Sequence, residues 1–149
     1  MSGGHFKVAG VFSALEVAAS GLTAERSRMN AIASNLANAR TTRTAEGTPY
    51  HRLDPVFVSK PVNANAFDPI LRQVSMVEMQ GTRPDVSPGR LEYDPGHPDA
   101  NAQGYVEYPN VNVVTEMVNL MTSSRAYEAG VTSIESIKSM AKSAIKIGQ

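Results

Sequence analysis

Three histidines and the polar run from Asp99 to Gly104 are the side chains best suited to hold a metal or move a proton. Metal-binding histidines recur at short, fixed spacings, and His5, His51 and His97 share none. Each reads as a surface or turn residue. Asp99, Asn101, Gln103 and Gly104 copy the opening of a calcium loop. The copy fails where Asn110 replaces the closing bidentate Glu, and no helix precedes it. Ser87, His97 and Asp94 supply a nucleophile, a base and an orienting carboxylate by type. No nucleophile elbow or phosphate-cradling glycine run accompanies them, so scatter explains them better than catalysis. The chain has no cysteine, which removes disulfides, thiol nucleophiles and Cys-ligated zinc together. The residues point to no catalytic, cofactor-binding or metal site, and to no small-molecule substrate.

Charge narrows the classes further. The 149 residues carry 14 basic and 14 acidic side chains, against the basic excess of a phosphate-backbone binder. Arg40, Arg43, Arg52 and Lys60 form a basic concentration, with only Tyr50 and Phe57 as interleaved aromatics. They are expected to meet acidic surface on another subunit rather than nucleic acid. No apolar run approaches the roughly 18 residues that cross a bilayer. Lys7, the stretch Val8–Leu15 and the small Ala18 and Ala19 imitate a secretory signal. Glu16 ends that stretch, and the helical pattern continues past any cleavage point, so no cleaved signal is expected.

The elements that dominate the sequence lie at its two ends. Leu15, Leu22, Met29 and Leu36 recur every seven residues, with Val11, Ala18 and Ile32 filling the same stripe, which predicts an amphipathic helix over 9–38. Residues 1–8, with Gly3 and Gly4, read as a tail. Near the other end, Val113, Leu120, Tyr127, Ile134 and Ala141 form one line at sevenfold spacing. Met117, Val131 and Ile145 form a second, interrupted by Ser124 and Lys138. This predicts a helix within 110–149, with Asn110 as N-cap and Gly148 as stop. A helix from 111 to 147 is about 55 Å long, too long for a compact domain of this size, so an elongated subunit is expected. All nine prolines fall between Pro49 and Pro109. In that segment Arg52–Val58, Ile70–Met79, Arg90–Tyr93 and Tyr105–Tyr108 read as short strands between turn-rich runs. Pro55 confines the first to a sheet edge. The expected fold class is α+β: two long terminal helices packed as a coiled-coil-like pair, with a β-rich, loop-rich insert over 39–109.

Two helices alone bury little. Val114, Val118, Met121, Ile137 and Ala144 widen the C-terminal stripe beyond one seam, and a stripe that wide calls for more than one neighbour. Head-to-tail contacts with other copies would build an open helical assembly. The seams of the two helices serve either the isolated chain or such an assembly, since heptads record burial but not whose helix provides it. The candidate assembly residues are Leu15, Leu22, Met29, Ile32, Asn35, Leu36, Asn38, Val113, Met117, Leu120, Tyr127, Val131 and Ile134. The amides of Asn35 and Asn38 could bond backbone or a neighbouring subunit as the chain leaves helical geometry, but read more simply as a polar helix terminus. Glu116, Arg125 and Glu128 could set register between subunits through ion pairs, but each reads more simply as part of a solvated helix face worth little. The wide stripes lead us to expect terminal helices that are partly disordered in the free monomer.

Ala18-Ala19-Ser20-Gly21-Leu22-Thr23-Ala24, then Ile32-Ala33-Ser34-Asn35-Leu36-Ala37-Asn38-Ala39 and Thr41-Thr42, resemble the N-terminal signature of flagellar rod and hook axial proteins. The C-terminal half carries more specific runs: Gly104-Tyr105-Val106, Pro109 through Asn119, and Ser124-Arg125-Ala126-Tyr127-Glu128-Ala129. These, with Tyr93-Asp94-Pro95-Gly96-His97-Pro98 and the Ile147-Gly148-Gln149 ending, are similar to the proximal-rod members of that family. The likeness covers about residues 11–58 and 90–149. Gly130 departs from it, standing where the pattern has Asn, and reads as a point where the long helix loosens. So does the longer stretch before Ala9.

The resemblance implies a structural, torque-bearing rod subunit rather than an enzyme. It implies export by the flagellar type III apparatus without cleavage and assembly in the periplasm. Its partners would be copies of itself, other rod subunits, the adaptor between membrane ring and rod, and the distal rod. Another axial component or an export-linked adaptor shares the terminal-helix plan, but the short length and the 104–129 run weigh against it. A membrane-surface helix would need a Lys/Arg-rich polar face, whereas Glu16, Glu25, Arg26 and Arg28 are balanced.

Overall fold

A computed structural model of the chain describes residues 3–62 and 74–147. Helix α1 spans Gly3–Ala37 and helix α2 spans Val113–Ile147. Between them lie β1 (Leu53–Pro61), β2 (Ser75–Pro84), β3 (Arg90–Tyr93) and β4 (Tyr105–Tyr108). β1 pairs with β2 and β3 with β4, in two separate two-stranded sheets. This is the α+β arrangement expected, and β3 and β4 have the expected bounds. Residues 70–73 of the second expected strand, and the expected stop at Gly148, lie outside the described residues. Pro55 sits in β1, which has an unpaired side because its sheet has only two strands.

Both helix starts differ from expectation, and β1 and β2 run on to Pro61 and Pro84 rather than ending at Val58 and Met79. α1 begins at Gly3 rather than at residue 9. The glycines cost helix propensity, but no proline blocks the helix there. At α2, Asn112 and not Asn110 is the cap: its Oδ1 accepts the Thr115 N–H at 3.1 Å, and its carbonyl accepts that of Glu116 at 2.9 Å. Asn110 is occupied elsewhere. Its Oδ1 accepts the Arg52 N–H, and its amide donates to the carbonyls of Asp85 and Ser87.

The chain forms two compact units, and both helices and β1 and β2 contribute to each. The first unit comprises Met1–Ser27, Phe57–Gln80 and Ser123–Gln149. In it, Ala24 and Ser123 are buried, and β2 is tied to α1 where Ser20 Oγ accepts the Val77 N–H at 3.2 Å. Leu22 of α1 lies against Gly130 of α2. A Cβ at position 130 would stand 2.7 Å from Leu22 Cδ2. Gly130 thus marks a close approach of side chain to helix rather than a loosened turn. An open, mainly apolar cleft of about 610 Å³ runs beside this contact, between the Gly10–Glu25 stretch of α1 and Ala126, Gly130 and Ser133.

The second unit comprises Arg28–Val56 and Gly81–Thr122. Ala31, Ile32, Val106 and Pro109 are its buried apolar residues among those described. The β3–β4 hairpin pairs antiparallel, with Arg90 opposite Tyr108 and Tyr93 opposite Tyr105. The Tyr93 and Tyr105 rings meet edge to face at 5.3 Å, and Val106 on the other face is fully buried. The connecting loop closes through Asp94 N–H to the Gly104 carbonyl at 2.9 Å. Gly104 has φ +83°, and a Cβ there would meet the Tyr93 ring at 2.8 Å, so only glycine fits.

Candidate functional site

α2 presents two different faces. Its less exposed positions include Glu116, Leu120, Ser123, Tyr127, Gly130, Ile134, Ile137 and Ala141, alternating by four and three residues as a heptad seam does. One line of this seam is the expected one through Leu120, Tyr127 and Ile134. The other is not. The expected line through Met117 and Val131 is exposed, at 55% and 37%, and Val113, which was placed on the first line, is 46% exposed. In its place stand a carboxylate, a serine and a glycine. A reading guided by hydrophobicity passes over such residues, yet small ones allow close packing and the charged one has found partners. α1 follows the same logic. Ala24, Ala31, Ile32 and Asn35 are its buried residues, while Leu15, Leu22, Met29, Leu36 and Asn38 are half-buried.

The partners of the carboxylate form a polar hub in the second unit. Asn35 and Glu116 are each 1% exposed. Asn35 Nδ2 donates to Glu116 Oε2 at 3.1 Å and to the Leu53 carbonyl at 3.0 Å. Its Oδ1 accepts from the Leu53 N–H at 2.8 Å and from the Tyr50 hydroxyl at 2.9 Å. Both donors and both acceptor positions of the amide are therefore filled. Arg52 Nε donates to Glu116 Oε1 at 2.8 Å, and its other nitrogens pair with Asp54 at 2.8 Å and, more loosely, Asp85 at 3.8 Å. The Glu116 hydrogen bond pushes the Arg52 pKa up, against partial burial and with help from the surrounding carboxylates, so the guanidinium stays charged. Asp85 is held below the usual carboxylate range, mainly by the hydroxyl and backbone N–H of Ser87.

Several sequence expectations change here. Asn35 is a saturated buried crosslink rather than a polar terminus, and Glu116 is buried rather than solvated. Asn38 does behave as a terminus, its amide donating to the Ser34 carbonyl at 2.9 Å. Arg43, Arg52 and Lys60 pair within the chain, with Asp99, with the hub carboxylates and with Glu78, rather than waiting for another subunit. Asp99, the first residue of the calcium-like run, is engaged by Thr42 as well as by Arg43. Ser87 bonds Asp85, and His97 Nδ1 accepts the Asp99 N–H, so neither is directed at the other. Tyr50, Arg52 and Asn110 were not singled out as contributing to the site. The available signal was Glu116, four residues before Leu120 on the seam, where a charge must find a buried partner.

Roughly a third of a turn round α2 from the seam, at 100° per residue, lies the second face. Val113, Val114, Met117, Val118 and Met121 are exposed there, between 46% and 71%. From Asn112 to Ser124 the only charged residue is Glu116, and it is buried. Three helical turns thus expose apolar surface with no charge, on the order of the 300–600 Å² that marks the largest patch of a typical monomer.

Comparison with known proteins decides what kind of molecule carries this face. A family model described as Flagella basal body rod protein matches residues 15–43, and one described as Flagellar basal body rod FlgEFG protein C-terminal matches residues 102–147. The flagellar basal-body rod protein FlgC of Borreliella burgdorferi is 44% identical over 150 residues, covering 94% of this chain and 99% of that one. FlgC of Bacillus subtilis is 43% identical, covering 93% and 98%. FlgC of an Escherichia coli O6:H1 strain is 41% identical, covering 90% and 95%. This chain belongs to the FlgC family. It is a structural subunit of the flagellar basal-body rod, not an enzyme, and it works among other basal-body components. Among its described residues no helix is long and apolar enough to cross a membrane. Asn35 and Glu116 of the hub lie inside the two family-model ranges.

Proposed function

We propose that this subunit builds the proximal rod by packing its terminal helices against those of other rod subunits, copies of itself included. The contact is made through the uncharged stripe Val113, Val114, Met117, Val118 and Met121, extended toward Val131. The supporting observation is that these side chains are exposed while the seam of the same helix is covered within the chain. Burying such a face on a neighbour's helix gives many small contacts along an axis, which suits a shaft that carries torque. In this reading the subunit leaves the cytoplasm through the flagellar type III apparatus with no cleaved signal. It then lies in the periplasmic part of the basal body, between the ring-proximal adaptor and the distal rod.

The double substitution V114D/V118D tests the reading. Both positions are exposed, so the free subunit should keep its helicity and thermal midpoint. Basal bodies isolated from cells carrying it should lack the rod beyond this subunit, and the cells should not swim. Normal rods and motility would move the assembly surface away from this stripe.

A further inference from the structure

Glu116 does more than a contact between helix and insert requires. It is almost wholly buried, and its two oxygens are divided between Asn35 of α1 and Arg52 just before β1. We propose that Glu116 is a register pin, fixing the axial position of α2 against α1 in the second unit and contributing specificity rather than net stability.

Packing alone leaves that register weakly defined. The buried residues of α1 near the hub are Ala31 and Ile32, and alanine offers no distinctive knob. A slip of one turn, about 5.4 Å, keeps apolar surface on apolar surface. It does not keep Glu116 paired. One direction brings the carboxylate level with Ala31 and Ile32, which offer no side-chain donor. The other carries it toward the end of α1 at Ala37. Arg52 cannot follow, because its N–H is held by Asn110 Oδ1, its carbonyl by the Asp85 N–H and its guanidinium by Asp54. Asn35 cannot follow either, since Leu53 and Tyr50 occupy the rest of its amide. A buried ion pair contributes little more than an apolar isostere, whereas a polar residue in a seam discriminates among registers. The inference concerns the chain's own helices and holds whether or not the exposed stripe is the assembly surface.

Glu116→Leu separates the two roles. Asn35 keeps its Leu53 and Tyr50 bonds, and Arg52 keeps Asp54 and Asp85, so no charge is stranded. The chain has no cysteine, so spin labels attach cleanly to cysteines placed at the exposed Ala33 and Thr115 of the full-length protein. Pulsed electron paramagnetic resonance should give one narrow distance distribution for the parent chain. E116L should stay folded with a similar thermal midpoint, yet broaden or gain a second population, as a slip of one helical turn between the labelled helices requires. Glu116→Gln keeps one acceptor oxygen, enough for Arg52 Nε or Asn35 Nδ2 but not for both donors, and should narrow the distribution in part. A narrow, unshifted distribution in E116L would overturn the proposal, as would a broad one in the parent chain. So would loss of folding in E116L, or an E116Q distribution as broad as that of E116L.

Discussion

In the first unit, α1 and α2 meet where Leu22 rests against a glycine; in the second they meet through a buried carboxylate bonded to a buried amide. The first contact depends on shape. It tolerates any change that leaves room, and an open apolar cleft lies beside it. The second depends on direction, because each oxygen and nitrogen of Asn35 and Glu116 has a named partner. The difference teaches that one heptad seam can change character along its length. Where small residues line it, helices approach closely; where polar residues line it, they stop in one place.

The largest way to break this contrast is Arg52→Met, which leaves Glu116 buried with Asn35 as its remaining partner. It should cost about 3–5 kcal/mol, the usual penalty for stranding one member of a buried pair. Hydrogen exchange should show the loss concentrated in 28–56 and 81–122, with protection in 123–147 changed less. Next is Gly130→Leu, which tests shape in the first unit. Forcing a side chain against Leu22 should cost about 1–3 kcal/mol in denaturant unfolding, whereas Gly130→Ala should be nearly neutral because Leu22 can turn aside while propensity improves. Asn112→Ala removes the cap of α2 and should cost about 1 kcal/mol, read as fraying of its first turn by amide exchange. The smallest effect concerns pH. The depressed Asp85 carboxyl contributes stability above its unfolded pKa and loses it as pH falls through its folded value. Ser87→Ala should bring that titration back toward the ordinary carboxylate range, followed by carboxyl NMR.

The sequence made the plan of the molecule legible because long periodic segments and proline-rich stretches carry strong local signals. Leu120, Tyr127 and Ile134 read as seam residues and are. β3 and β4 were bounded correctly because turn residues flank them on both sides. The hub was not legible, since its bonds join residues as far apart as Asn35 and Glu116, and no local spacing encodes that separation. Met117 and Val131 read as part of a seam stripe yet are exposed within the chain, for a related reason. Hydrophobicity marks what seeks burial, but Ser123 and Gly130 were chosen by the space they leave. Asn110 was mistaken for the cap because it follows Pro109 directly, although Asn112 occupies the position from which a side chain reaches the Thr115 N–H.

The central claim is that α2 keeps one face for its own chain and another for its neighbours. Cysteine accessibility at Met121→Cys tests it most directly, measured by maleimide labelling of the free subunit and of isolated basal bodies. Met121 is 58% exposed in the chain. The account predicts rapid labelling in the free subunit and protection in the assembled rod, with Thr122→Cys in the same exposed turn as the reference for general access. Equal labelling of Met121→Cys in both states, with rods intact, would contradict it.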